Sequence, residues 1–492
     1  MSVAAATATT VYGLCLAFIF CYSMVQLHLT VLYWLRRNSR RREYIATDAQ
    51  QQNWPSITVQ LPIYNERYVV ERLLEAVAAF DYPYQCLQIQ VLDDSTDDTT
   101  SIINEKLKLY PHLSIQHIRR PQRTGYKAGA LQHALPQATG EFIAIFDADF
   151  LPYPDFLKRT VTVFTDANVG MVQTRWGHLN KNYSLLTRLQ AFGLNAHFTV
   201  EQVGRSIGRH FINFNGTAGI WRKACIEDAG GWQADTLTED LDLSYRAQLR
   251  GWQFRYLEEV EAPAELPADM GALKSQQFRW TKGAAETARK HLWRVLRSSA
   301  SAGSKLHAFF HLLNSSIFLC VLLTGVLHLP ILYIKNRHPE LGWFFSFGYA
   351  LLLSLIALVA FYWTAQYSRR SSAWRTTLHF IPDFFLFLSI SMGLSLHNSL
   401  AVLEGYMGRK TPFVRTPKYN IVNPKDSWRQ RGYIIKSISP VTVLEGLLAL
   451  YFIYGIWMVL RMKEYSQLPL HLMLAFGFGT VFFYSLFHSR RA

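Results

Sequence analysis

The sequence predicts an α/β domain, with a mostly parallel mixed sheet and helices on both faces, inserted between transmembrane α-helices. Three observations carry this reading. Apolar runs long enough to cross a bilayer stand on either side of a central region in the 492-residue chain. Within that region, β-branched runs alternate with stretches of helical period, the pattern of a parallel sheet covered on both faces. Half of the residues are hydrophobic and only 17% are charged, against roughly 25% in ordinary soluble chains.

The first apolar run, residues 10–35, suffices to span a hydrocarbon core about 30 Å thick. Arg36, Arg37, Arg40, Arg41 and Arg42 follow at once, so the next segment is expected in the cytosol and the N-terminus outside. The stretch before the run is uncharged, which argues against a cleaved signal peptide. Residues 53–304 read as a cytosolic globular domain. Strands are expected at 57–63, 87–92 and 141–146, and helices over 69–80, 97–109 and 126–135.

Beyond this domain, residues 307–334 and 343–363 read as the second and third spans. Segment 380–403 is apolar but broken by Pro382, Asp383, Gly393, His397 and Asn398, and is expected to be interfacial or re-entrant. The basic loop 404–438 and the arginines at 369, 370 and 375 belong on one cytosolic side, which parity allows only if 380–403 does not cross. Residues 441–460 and 468–487 complete five spans with the C-terminus inside. Glu445, near a span end, is expected at the membrane interface.

Lys and Arg total 50 against 35 Asp and Glu, a net charge of +15. The excess lies beside the apolar runs, so the expected partner is a lipid bilayer and no nucleic acid. The five cysteines show no CxxC spacing, which excludes a zinc cluster or disulfide framework of the usual kind. Free thiols suit a reducing compartment. The spans show no internal repeat, which argues against a transporter.

Sheets of this type bind ligands beyond the carboxyl ends of their strands. Three polar groups fall there: Tyr64-Asn65-Glu66, Asp93-Asp94-Ser95 and Asp147-Ala148-Asp149. Asp147 and Asp149 can share a hard divalent cation with diphosphate oxygens, although acidic turns also occur without one. Ser95 or Asp97 serves as a helix cap, leaving Asp93 and Asp94 for a base or ribose. Tyr64 suits a nucleobase or plain packing. Lys127 opens a helix after the Gly125 turn, a place that favours phosphate.

Thr236 and Glu239 match a capping box. Asp240 then falls in the first turn, where the helix dipole stabilises its anion, and desolvation beside an acceptor would let it take a proton. Gln276, Arg279 and Trp280 share one helical face. Arg279 suits a diphosphate, and Trp280 suits either a sugar ring or the membrane interface.

Taken in order, Asp93-Asp94, Asp147-Ala148-Asp149, Thr238-Glu239-Asp240 and Gln276-x-x-Arg279-Trp280 resemble the D, DxD, TED, QxxRW series of processive family 2 glycosyltransferases, the cellulose synthase superfamily. Stretches 60–66, 90–96, 125–130, 198–202 and 214–219 are most similar to the cellulose-synthase-like A and C branches. Those branches make mannan or glucomannan and the glucan backbone of xyloglucan.

The resemblance implies a GT-A fold and inverting, metal-dependent hexosyl transfer from UDP-glucose or GDP-mannose to a growing β-linked glycan, with translocation across the membrane. Non-processive transfer to a membrane lipid is the alternative. It further implies that Tyr64, Glu66, Asp93, Asp94, Lys127, Asp147, Gln276 and Arg279 bind the nucleotide sugar, and that Asp147 and Asp149 hold Mg²⁺ or Mn²⁺. Asp240 would be the general base, flanked by Thr238 and Glu239. Trp280, Asn215, Gly216 and Thr217 would meet the acceptor. Residues 413–418 resemble an FxVTxK gating loop through Phe413, Thr416 and Lys418, with Arg415 where the family has Val. The membrane would be a plasma, inner or Golgi membrane according to source.

Overall fold

Strand β1 (Ile57–Ile63) runs parallel to β2 (Leu87–Asp93), with Ile57 opposite Leu87 and Ile63 opposite Asp93, in a computed structural model of the chain. Residues 1–46, 53–342, 350–368, 372–423, 425–428 and 439–490 are described. Both strands are buried on both faces, so their polar side chains pair with each other. Thr58 Oγ1 donates to Gln88 Oε1 at 2.7 Å and Gln60 Nε2 to Gln90 Oε1 at 2.9 Å, which offsets the cost of burying these groups.

Beyond β2 lies β3 (Ser114–Arg119); on the other side of β1 lies β4 (Phe142–Ile145). With β5 (Val169–His178), β6 (Gly219–Arg222) and β7 (Gln253–Ala264), one seven-stranded sheet has the order β3-β2-β1-β4-β6-β5-β7. All neighbours are parallel except β6, which runs antiparallel to both β4 and β5. The expected mostly parallel mixed sheet is what forms. The chain winds outward from β1 to β3 and then returns to β4, so a switch point opens between the carboxyl ends of β1 and β4.

Helices cover both faces. Val70, Leu73, Leu74 and Val77 of helix Val70–Ala78 pack with Val59 and Leu61 in one core. On the other face, Leu131 and Ala134 of helix Tyr126–Ala134 join Ile143, Ile145 and Trp221.

Five helices among the described residues are long and apolar enough to cross a membrane: Val3–Leu35, Ser316–Arg337, Ala373–Gly393, Pro440–Arg461 and Tyr465–Ser489. The first packs between later elements. Its Tyr12 hydroxyl lies 2.9 Å from His328 Nδ1, and its Trp34 Nε1 donates to Thr364 Oγ1 at 3.0 Å.

Segment 307–334 is not one helix. A helix Ala302–Leu312, capped by the Ser301 hydroxyl accepting from the Ser304 N–H, ends before Ser316–Arg337 begins, and its His307 and His311 are buried in protein. Of the segment 343–363, residues 343–349 lie outside those described, and the rest belongs to helix Ala350–Tyr367. Stretch 380–403 divides at Leu394 into Ala373–Gly393 and Ser395–Met407. The third of the five long apolar helices is therefore Ala373–Gly393, partly within the stretch read from sequence as interfacial. Asp383, which suggested an interruption, is paired with Arg188 of the globular domain at 3.1 Å.

Glu445 departs from its expected interface position. It is fully buried, with Oε2 2.6 Å from Lys274 Nζ of helix Met270–Arg297. The pair satisfies two charges that sequence distance keeps out of sight.

Candidate active site

The strand ends converge on a single cavity. Tyr64 and Glu66 follow β1, Asp94 follows β2, and Asp147 and Asp149 follow β4; all line this cavity together with Glu239, Asp240, Gln276, Arg279 and Trp280. Phe413, Arg415, Thr416 and Lys418 close it from the other side.

Asp147 accepts from Lys127 Nζ at 2.6 Å, and its backbone N–H donates to Thr217 Oγ1 at 2.9 Å. Lys127 also donates to the Gly216 carbonyl at 2.8 Å. Burial works against the Lys127 ammonium, yet Asp147, Glu239 and Asp240 together outweigh it and raise the lysine above its ordinary value. Asp149 is buried, accepting from Lys418 Nζ at 2.7 Å and from the Glu265 N–H at 3.2 Å. Both carboxylates of the strand-end pair thus already carry a cationic partner, and their oxygen donor chemistry fits a hard divalent ion.

Asp93 and Asp94 separate. Successive strand residues point to opposite faces, and only Asp94 faces the cavity, where Arg120 grips both its oxygens. Asp93 lies beneath, accepting from the Ser95 N–H at 2.8 Å, from Thr100 Oγ1 at 2.7 Å, and with His117 Nε2 at 3.1 Å. Burial pushes its carboxyl up, but His117 and the hydroxyl and amide donors outweigh that and bring it down to about 2. It holds the strand-end turn. Thr217 is likewise buried and acts through Asp147, whereas Asn215 and Gly216 line the cavity. Asn215 Oδ1 accepts from Asn213 Nδ2 at 2.9 Å and lies 3.0 Å from His197 Nε2.

Helix Glu239–Leu249 has Thr238 as its N-cap residue, so the capping box expected of Thr236 and Glu239 does not form: Glu239 is the first helical residue, Thr236 Oγ1 bonds nothing, and Thr238 makes no side-chain cap bond. Its Oγ1 instead lies 3.3 Å from Thr287 Oγ1, while Glu286 accepts from the Leu237 N–H at 2.8 Å. Helix Met270–Arg297 comes close enough here that a Cβ at Gly283 would stand 2.5 Å from Thr238 Cγ2. Freed from capping, Glu239 turns toward the cavity, where burial raises its carboxyl above the ordinary value.

Asp240 stands beside it. Burial first, and the Glu239 charge second, push its carboxyl up to about 7 against the pull of Lys127. Gly216 approaches closely: at φ +80° it adopts a backbone that suits glycine, and a Cβ there would lie 3.0 Å from Asp240 Oδ2. Two residues on, the fully buried Asp242 pairs with Arg246, Lys290 and His291, locking this helix to Met270–Arg297.

Gln276, Arg279 and Trp280 share the cavity face of Met270–Arg297, as their spacing requires. Trp280 lies against Trp176, ring centres 6.4 Å apart. Arg279 Nη2 donates to Thr416 Oγ1 at 2.7 Å and stands 4.6 Å from the Phe413 ring centre. Arg415 forks onto Glu66 at 2.8 and 2.5 Å. Burial raises the Glu66 carboxyl, and Arg415 resists that rise.

Some cavity residues escaped the sequence reading. Arg123 lies 3.4 Å from the Tyr64 ring centre and also faces Tyr126. Glu265, just after β7, accepts from the Tyr419 N–H at 2.9 Å and from Arg72 at 3.1 Å, anchoring the loop after Lys418. Its place at a strand end on the same sheet edge was the available signal. Trp176 belongs to β5, a strand the sequence did not announce.

A second cavity shares Leu194, Gln276 and Trp280 with the first. It continues among apolar helices, past Phe318, Tyr362, Phe387 and Asn398.

Residues 55–283 match the family described as Glycosyltransferase like family 2. The chain is 35% identical over 419 residues to glucomannan 4-beta-mannosyltransferase 2 of Arabidopsis thaliana, covering 81% of this chain and 74% of that protein. It is 34% identical over 387 residues to glucomannan 4-beta-mannosyltransferase 1 of Oryza sativa subsp. japonica, covering 74% and 69%. A solved structure of the mannosyltransferase PcManGT from Pyrobaculum calidifontis, in complex with GDP-Man and Mn²⁺, is similar in fold, with TM-score 0.51 and 19% identity. That match covers 80% of this chain and 100% of the solved one. The GT-A-like sheet, the cavity at its strand ends and these relatives agree: the chain is an enzyme that belongs to the family 2 glycosyltransferases.

Proposed function

We propose that the protein transfers mannosyl units from GDP-mannose to the non-reducing end of a β-linked mannan or glucomannan, with inversion, and does so processively. The observation that carries the proposal is the half-buried Asp240 carboxyl, facing the same cavity as Asp147, Asp149 and Trp280. The names of the plant relatives favour mannose, and the glucan branch finds no support among those relatives.

In this reading Tyr64, beneath Arg123, meets the base, and Glu66 and Asp94 bound the nucleoside pocket. Asp93 acts from below by holding the turn. Lys127, Gln276 and Arg279 orient the diphosphate. Asp147 and Asp149 would hold Mg²⁺ or Mn²⁺, which when bound neutralises charge on the departing diphosphate. Asp240 accepts the proton of the acceptor hydroxyl, while Glu239 and Thr238 fix its place. The acceptor oxygen then bonds to the anomeric carbon as the bond to the diphosphate breaks, and GDP leaves.

Trp280 offers its ring to the terminal sugar, with Asn215 and Gly216 beside it. Phe413, Thr416 and Lys418 cover the donor. The second cavity, continuous with Trp280 and lined by amides and aromatic rings, supports an exit path between the apolar helices. The catalytic domain would face the cytosol.

The test is incorporation from radiolabelled GDP-mannose and UDP-glucose by purified protein, with product length resolved. Long β-mannan is expected from GDP-mannose. Transfer of a single sugar to a membrane lipid would replace the processive reading, and full synthesis by Asp240→Asn would overturn the assignment of the base.

A further inference from the structure

A cluster outside this site lies where the first apolar helix meets the globular domain. His28 of that helix, His210 after helix Gln202–Ile207, and His307 of helix Ala302–Leu312 each bring a ring nitrogen within 4.8 Å of the other two. His28 Nδ1 is 2.9 Å from His307 Nε2, and the rings of His210 and His307 stack with centres 3.8 Å apart. His210 Nδ1 also lies 3.2 Å from Ser304 Oγ.

The remaining nitrogens of the last two rings, His210 Nε2 and His307 Nδ1, are buried without a hydrogen-bond partner. His307 is only 4% exposed. Buried polar atoms normally find partners, so two orphans in one cluster of three rings call for a reason.

The surroundings favour lone pairs over protons. Arg205, fully buried, donates from Nη1 to the His307 carbonyl at 3.4 Å. Its guanidinium is paired by Glu201 at 2.9 and 3.1 Å, so that carboxylate is already committed. Burial disfavours imidazolium, neutral rings are the form that ligates metal, and the Glu201 carboxylate offsets the Arg205 charge that would otherwise repel a cation.

We propose that His28, His210 and His307 form a binding site for a divalent transition metal of the zinc class. Imidazole donors without carboxylate or thiolate suit Zn²⁺, Cu²⁺ or Ni²⁺ rather than Mg²⁺ or Ca²⁺. Zinc bonded to three ring nitrogens at about 2.0–2.1 Å in a tetrahedron sets them about 3.3 Å apart and leaves a fourth position open. His28 Nδ1 and His307 Nε2 stand 2.9 Å apart and all three ligand atoms fall within 4.8 Å of one another, a span that includes that value, and metal binding requires the stacked His210 and His307 rings to turn out of parallel. The site joins the first apolar helix, the globular domain and the connector to the next span. His28 is the exposed member of the three.

The test uses full-length protein in detergent, stripped with chelator and then titrated with Co²⁺ or Zn²⁺ under excess Mg²⁺, which occupies carboxylate sites. One tightly held ion per chain is expected, with the visible ligand-field bands of nitrogen-bound Co²⁺, and Asp149→Asn should retain both. His307→Gln and His28→Gln should lose that ion and its bands. Since His28 is exposed, its variant keeps the experiment decisive if His307→Gln does not fold. Absence of the bands in the parent protein, or stoichiometry unchanged in the histidine variants, would overturn the assignment.

Discussion

The Lys418 ammonium lies 2.7 Å from Asp149 Oδ2, bringing a residue 269 positions later in the chain onto a proposed metal ligand. A divalent ion held there would compete with Lys418 for this oxygen. Lys418→Ala should therefore tighten Mn²⁺ binding roughly tenfold, about 1.4 kcal/mol of competition removed, while slowing turnover because the loop loses an anchor. A Mn²⁺ titration read by electron paramagnetic resonance checks this, and unchanged affinity would show that the two do not compete.

The pH dependence follows from Asp240. Its carboxyl is pushed up to about 7 by burial and by Glu239. A base works only when ionised, so transfer should fall about tenfold per pH unit below that value and level off above it. Asp240→Asn should slow transfer by about 100- to 10,000-fold. Initial rates across the pH range measure both.

The same shift predicts an opposite effect on stability. The folded protein binds this proton more tightly than the unfolded chain, whose value stays near the ordinary 3.8. Stability from this group is present below that value and is lost as pH rises through about 7. Asp240→Asn should accordingly melt above the parent protein near pH 8, with the gap closing toward about pH 4. Thermal melts at the two pH values decide it.

Arg279 is asked to do two things at once, donating to Thr416 and stacking on Phe413. Lysine cannot do both. Arg279→Lys should raise the donor KM about tenfold, the worth of one charge-assisted hydrogen bond, and steady-state kinetics with varied donor would reveal it.

Lys274→Met would strand the buried Glu445 carboxylate, at a cost of about 3–5 kcal/mol. Lys274→Met with Glu445→Leu should recover most of that loss. If the single and double variants unfold at the same temperature, the pair does not couple.

What the sequence disclosed depends on where each residue's partner lies. β1, β2 and β4 were legible because strands buried on both faces are apolar runs with polar residues just after them, which located Tyr64, Asp94, Asp147 and Asp149. β6 has four residues and β3 alternates at the sheet edge, so neither stands out from a loop. Asp93 and Asp94 are the same residue type, and only the pleat, which sequence does not show, sends one into the cavity and the other beneath it. The Thr236–Glu239 pattern fitted a cap, but helix Met270–Arg297 supplies Glu286 to the Leu237 amide and Glu239 faces the cavity instead. Glu445 was misplaced because its partner lies 171 residues away.

The contacts of the first helix carry a consequence for assembly. Tyr12 meets His328 across 316 positions and Trp34 meets Thr364 across 330. During synthesis that helix must wait without its bundle neighbours until the whole sheet and the second span have emerged. The nascent chain therefore passes through a stage in which the folded sheet is joined to the first apolar helix before that helix has met its later partners, and any chaperone or insertase that shields the helix acts in that interval.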